Sequence, residues 1–159
     1  MKNIVILGAG TAGTMMANKL LGILPADEWN ISLIDQDDRH VYQPGLLFIP
    51  FGIYHDEEVT RSRREFVHSG VNYVQDQIIS LDPENNKVSL KNNETLSYDI
   101  LIVATGTVVD PSKTEGLLGD NWYKNIFDFY TYEGACALAR RLENFNEGRL
   151  VLNIVDMPI

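Results

Sequence analysis

Apolar residues in this chain come in short blocks, most of them closed by glycine, proline, asparagine or aspartate. Asn3 to Leu7 is nearly all apolar and ends at Gly8, the pattern of a strand buried on both faces. From Thr11 to Leu24, the residues Met15, Met16, Leu20, Ile23 and Leu24 fall at a rough helical spacing, which Pro25 closes. Asn30 to Ile34 is a second apolar strand with Asp35 at its end. Strand, helix and strand within about thirty-five residues predict a βαβ unit, whose two strands run parallel.

Residues 36–58 follow neither period. They set Pro44, Gly45, Pro50 and Gly52 among Leu46, Leu47, Phe48, Ile49 and Phe51, and a loop this long in a compact domain is usually functional. Val59 to His68 reads as a short helix with a basic cluster at Arg61, Arg63 and Arg64. A solvated helix face is the simpler reading of that cluster, and a phosphate site is the other. Val71–Val74, Gln77–Leu81, Lys87–Lys91 and Thr95–Tyr98 read as short strands parted by turn residues, the last pair as a hairpin or meander. Ile100 to Ala104 is a further apolar strand. After a turn-rich stretch to Phe129, residues 131–145 put Ala135, Leu138, Ala139, Leu142 and Phe145 on one helical face, and Leu150 to Val155 predicts a last strand. The pattern is α/β, without internal repeats.

Composition narrows the partners. With 159 residues, 45% of them apolar, the chain can build a core of ordinary domain size, which excludes intrinsic disorder. Thirteen Lys and Arg against twenty-two Asp and Glu leave a net charge of −9, which repels phosphate backbones and argues against nucleic acid. An anionic cofactor would then need local help from backbone amides. A single cysteine, Cys136, excludes an internal disulfide, a CxxC pair and a zinc cluster, and makes a reducing compartment the simpler expectation. In its helix it reads as a small buried residue. His40, His55 and His68 share no metal-ligand spacing, so no metal is expected. No apolar run is long enough to span a bilayer, and the short one at the N-terminus runs straight into glycines, unlike a signal peptide.

The chemistry gathers at two motifs. Gly8-Ala9-Gly10-Thr11-Ala12-Gly13 fits GxGxxG after a strand and at the start of a helix. Gly8 permits the tight turn, Gly10 lets a pyrophosphate approach the backbone, and Gly13 lets helix and strand pack closely. The N-terminal turn through Thr11 and Ala12 offers N–H groups and a partial positive charge to phosphates. Asp35, twenty-two residues after Gly13 and followed by Gln36, can accept hydrogen bonds from an adenosine ribose diol. The fingerprint predicts a dinucleotide without separating FAD from NAD.

The second motif separates them. Thr95-Leu96-Ser97-Tyr98-Asp99-Ile100-Leu101-Ile102-Val103-Ala104-Thr105-Gly106 is similar to the T-x-x-Y-D-x-L-x-x-A-T-G signature of flavoproteins with two dinucleotide-binding domains. Physically, a buried strand delivers the small turn Ala104-Thr105-Gly106 to the carboxyl edge of a parallel sheet, where a cofactor lies. The segment from Arg39 to Gly52, with Tyr42-Gln43-Pro44-Gly45 inside it, resembles the one that follows the second strand in sulfide:quinone oxidoreductases and flavocytochrome c sulfide dehydrogenases.

That resemblance implies a Rossmann-like FAD-binding domain over residues 1–110, a linker over 111–130, and the start of a second nucleotide-type domain over 131–159. It implies that Gln43 and Pro44 lie near the flavin ring and that the backbone at Ile78 meets the adenine. NAD(P)H-using relatives carry a second GxGxxG after the strand corresponding to Leu150–Val155, whereas here Asp156-Met157-Pro158-Ile159 follows. The implied activity is therefore oxidation of sulfide with electrons passed through FAD to a quinone, by an enzyme of which this chain is the N-terminal part. The alternatives are a type II NADH dehydrogenase-like or other two-domain flavoprotein reductase, and a non-catalytic FAD-binding module. The family's thiol pair lies outside this sequence, so no catalytic residue is assigned. The remaining expectations are self-association through residues 131–159 and a cytoplasmic location, or a peripheral one on the inner face of a membrane.

Overall fold

The computed structural model describes residues 1–153. Its strands are β1 (Lys2–Leu7), β2 (Trp29–Asp35), β3 (Arg39–Val41), β4 (Thr60–Ser62), β5 (Asn72–Gln75), β6 (Ile78–Asp82), β7 (Lys87–Leu90), β8 (Thr95–Ser97) and β9 (Ile100–Val103). Helix α1 spans Thr11–Ile23 and α2 spans Tyr132–Leu142. The predicted βαβ unit is present, and its sheet is parallel in the order β5-β2-β1-β9. β6, β7 and β8 form an antiparallel meander, and β3 and β4 a two-stranded ladder.

Alternation along β1 explains the layering. Ile4 and Ile6 point to one face, where they meet Ala17 of α1 together with Ile31, Leu33 and Val71. Val5 and Leu7 point to the other, where they meet Ile34 and the meander residues Val88 and Leu90. A strand covered on both sides must be apolar at every central position, and Ile4 to Leu7 are all buried.

The helix α1 faces the sheet differently from its sequence reading. Gly13, Thr14 and Ala17 are buried, and Leu20, Leu21 and Leu24 continue the same stripe at i, i+1, i+4, i+7, i+8 and i+11. Met15, Met16 and Ile23, expected on the apolar face, are exposed. The reason is distance: α1 starts so close to the sheet that only small residues fit in its first turns.

Three other expectations change. Residues 59–68 form no α-helix: Val59 ends one 3-10 turn, Thr60–Ser62 pair as β4, and Arg63–Glu65 form another 3-10 turn capped by the Ser62 hydroxyl. The β-branched pair Val59-Thr60 favours the extended ladder over a helix. The long loop holds β3 and 3-10 turns at Gln43–Leu47, Ile49–Phe51 and Asp56–Val59. Over residues 150–153 the strand expected at Leu150–Val155 is absent and the chain is exposed; the rest of it lies outside the described residues. A strand needs a ladder partner, and none of the described strands pairs there.

The chain separates into two compact units, residues 1–40 with 61–107, and residues 41–60 with those from 108 on. Residues 41–60 group with the second unit. The core of the second unit explains why: Leu46, Ile49 and Val59 pack with Ala135 and Cys136 of α2, flanked by Val41, Tyr132 and Ala139. Thr131 caps α2 by accepting the Gly134 N–H, and the Asp128 carboxylate accepts from the Tyr130 and Thr131 N–H groups.

The two readings of α1 differ measurably. Leu33→Ala, at a fully buried position, should cost about 2–5 kcal/mol in denaturant unfolding. Met15→Ala should stay within about 0.5 kcal/mol, because that side chain stands in solvent. A large loss from Met15→Ala would restore the face inferred from spacing.

Candidate functional site

The site grows from the turn that joins β1 to α1. Gly8 has φ +95°, a left-handed conformation that side chains avoid, and a Cβ there would run into the Ala104 carbonyl. A Cβ on Gly13 would run into the carbonyl oxygen of Gly8, so these two glycines set how closely helix and strand approach. Gly10 is different: a Cβ there meets nothing within 4 Å. Open space therefore stands beside the start of α1, where Gly10 is the N-cap, no side chain caps the helix, and Thr11 and Ala12 are exposed. Such an end presents N–H donors and a partial positive charge to whatever enters.

Hydrogen bonds tie three strand ends together at this turn. The Gly8 N–H donates to the Ile34 carbonyl at 2.8 Å, and the Ala104 N–H to the Leu7 carbonyl at 2.7 Å. The Ala9 N–H donates to Asp35 Oδ2 at 2.7 Å, and the Thr14 hydroxyl to the Ala9 carbonyl at 3.0 Å. Gly8–Gly13, Asp35 and Ala104–Gly106 are thereby brought to one edge of the sheet. That edge is also its switch point, because the strands after β1 add on one side through β2 and β5 and on the other through β9. Gly106 again takes a left-handed φ of +73°.

The Asp35 carboxylate is held from several directions. Besides the Ala9 N–H, Oδ1 accepts the Asp37 N–H at 3.0 Å, and Oδ2 is paired with the Arg63 guanidinium. Gln36 follows, exposed, while Ile78 begins β6 and packs half-buried against the core under the meander. Nearby, the Tyr73 hydroxyl donates to the Asp37 carbonyl and Arg64 stacks over its ring. Burial pushes the Tyr73 phenol up from its usual range, and the Asp38 and Asp35 carboxylates add to this.

Sequence reasoning passed over two contributors. Arg63 read as part of a solvated helix, and only the tertiary fold brings it to a carboxylate twenty-eight residues earlier. Asp99, read as a marker of the return to the sheet, accepts the Asn3 N–H on its carboxylate and donates its own N–H to the Asn3 carbonyl, tying the start of β9 to β1.

Gln43 and Pro44 open the first 3-10 turn of the second unit and are exposed. That unit also holds a cavity of about 510 Å³, lined in part by Ile49, Tyr54, His55, Asp56, Cys136 and Arg140. Cys136 is buried in its wall as expected; burial pushes its thiol up, and the Asp56 carboxylate pushes it further. Among the described residues no cluster of His, Cys, Asp and Glu could hold a metal ion, and no helix is long and apolar enough to cross a membrane.

Comparison with known proteins agrees with this geometry. The family model for pyridine nucleotide-disulphide oxidoreductases matches residues 2–149. The chain is similar to the mitochondrial sulfide:quinone oxidoreductase of Mus musculus, with 27% identity over 98% of this chain and 34% of the relative. It is also similar to the type II NADH:quinone oxidoreductase of Staphylococcus aureus, with 30% identity over 73% of this chain and 29% of the relative. Among solved structures, the sulfide:quinone oxidoreductase of Aquifex aeolicus superimposes with a TM-score of 0.73 at 21% identity, over 91% of this chain and 32% of that one. The chain thus spans about a third of the length of the curated relatives it matches. The resemblance drawn from the loop and from the second motif is the one these relatives bear out. With its open glycine turn at a sheet switch point and a family match over nearly its whole length, the chain belongs to the pyridine nucleotide-disulphide oxidoreductase family of FAD-dependent oxidoreductases.

Proposed function

We propose that this chain is the FAD-binding part of a sulfide:quinone oxidoreductase-type flavoprotein, which oxidises sulfide to polysulfur and passes the electrons to a quinone. The open space at Gly10, beside an uncapped helix end, carries the FAD-binding part of the reading, and the similarity to sulfide:quinone oxidoreductases supports the rest. In it, the backbone of Gly8, Gly10, Thr11, Ala12 and Gly13 holds the pyrophosphate, Asp35 with Gln36 holds the adenosine ribose, and the Ile78 backbone meets the adenine. Ala104, Thr105 and Gly106 stand at the same sheet edge, and the resemblance of the loop assigns Gln43 and Pro44 to the flavin ring. FAD, when bound, supplies two-electron redox chemistry. The protein's part here is to bind and orient it, and the backbone amides do so without a positive surface field on a chain of net charge −9.

In this scheme residues 1–110 are the FAD domain, 111–130 a linker and 131–159 the beginning of a second domain. The similarity at 30% identity to a type II NADH:quinone oxidoreductase keeps a second reading, in which NADH is the donor. The similarity to sulfide:quinone oxidoreductases over 98% of this chain, against 73% for the NADH enzyme, favours sulfide. A peripheral position at the inner face of a membrane, or a cytoplasmic one, goes with a quinone acceptor.

Gly10→Val should abolish flavin retention by filling the cradle, while the melting temperature of the flavin-free protein stays near that of the parent. Equal retention in both proteins, read from flavin absorbance, would remove the phosphate-cradle assignment.

The 159-residue chain should neither oxidise sulfide nor consume NADH, with or without added quinone. Cys136, mostly buried and with its thiol raised, should react with thiol reagents at neutral pH more slowly in the folded chain than after unfolding. Because its thiol is raised in the folded state, its share of stability is present at neutral pH and fades as pH rises through 9, a dependence that Cys136→Ala should remove. Quinone reduction by sulfide that survives Cys136→Ser would contradict the scheme.

We also infer self-association through residues 131–159, where Leu150, Val151 and Leu152 stand exposed. Light scattering should give a dimer mass that returns to monomer when all three are replaced by serine. A monomer at every concentration would dismiss this contact.

A further inference from the structure

Arg63 is positioned better than a surface cation needs to be. Its N–H donates to the Asp38 carbonyl at 2.6 Å, and Ser62 Oγ donates to Asp38 Oδ2 at 2.6 Å, so the backbone that carries it is pinned. Its Nε donates to the Arg39 carbonyl at 3.0 Å and its Nη1 to Asp35 Oδ2. Both side chains of the pair are more than four-fifths buried. A guanidinium has five N–H donors. Two are used here, and the others find no acceptor among the described residues.

We propose that Arg63 is a further cofactor-binding residue, one that fixes the Asp35 carboxylate and donates its remaining N–H groups to the adenosine ribose hydroxyls. The proposal rests on the dinucleotide reading of the cradle and adds a residue to it. Asp35 has two oxygens with about four acceptor positions, of which the Ala9 and Asp37 amides and Arg63 take three. One acceptor position is left for a ribose hydroxyl, so a diol held by the carboxylate alone would lack a second partner. Arg63 is held on the other oxygen of the same carboxylate, and its free N–H groups can supply that partner. Anchored at Nε and at its own backbone, the planar fork loses little freedom when a ligand arrives. A lysine could offset the charge but could not bridge the Arg39 carbonyl, the carboxylate and a hydroxyl in one plane.

The test is titration of the full 159-residue chain with FAD, ADP, 2′,3′-dideoxy-ADP and FMN, in the parent and in Arg63→Ala, Arg63→Gln, Arg63→Lys and Asp35→Asn. The expected result is a loss of FAD and ADP affinity of about ten- to a hundredfold in Arg63→Ala and Arg63→Gln, the size of a charge-assisted hydrogen bond. For dideoxy-ADP, which has no ribose hydroxyls, the loss should shrink below about threefold, and FMN affinity should not change. Arg63→Lys should recover only part of the ADP affinity. An equal loss for ADP and its dideoxy form would make Arg63 a merely structural residue and overturn the proposal. Unchanged ADP affinity in all three Arg63 variants, with Asp35→Asn weakened, overturns this proposal alone. A parent chain that binds neither FAD nor ADP overturns the cradle reading and this one with it.

Discussion

The contact between Gly13 and the Gly8 carbonyl is the constraint on which the first unit is built. Because no Cβ fits there, α1 leaves β1 closer than any residue but glycine at position 13 would allow. That distance decides which residues of α1 face the sheet and how small they must be. It also leaves the first turn of the helix standing free at the sheet edge, with its N–H groups outward. Fold and candidate chemistry thus come from the same two missing side chains.

From the same point, the two faces of β1 sort the rest. Ile4 and Ile6 claim the helix, Val5 and Leu7 claim the meander, and β2 and β9 are drawn in on either side by parallel pairing. The polar residues of the site sit where this apolar framework stops. Asp35 is the last residue of β2 and Ala104 the first after β9, two strands that are apolar or buried along most of their length, which is why side chain and backbone meet at one edge.

Much of this was legible in the chain. Strand boundaries followed from short apolar blocks, and the glycine spacing named its own geometry, since Gly8 and Gly13 have no other residue that could replace them. The helix face was misread because spacing weights methionine by hydrophobicity, whereas close approach selects by size; Gly13, Thr14 and Ala17 carry almost no hydrophobic signal. Residues 59–68 were misread because three arginines look helical when their partner is unseen. The pairing of Arg63 with Asp35 depends on β3 and β4 meeting, and no local pattern in the chain announces it. The grouping of residues 41–60 with α2 is likewise a tertiary fact, invisible until Leu46, Ile49 and Val59 are seen against Ala135 and Cys136.

That last grouping has a bearing on how the chain is made. Val59 leaves the ribosome some seventy-six residues before Ala135, the residue it packs with. At about 5–20 residues per second, the apolar side chains of residues 41–60 wait roughly 4–15 s for the helix that buries them. Residues 61–107 emerge in that interval and can complete the parallel sheet with residues 1–40. The first unit can therefore close early, leaving Leu46, Ile49 and Val59 as the sticky stretch of the nascent protein. A chaperone that binds short apolar segments would find its target there, within a defined window of synthesis.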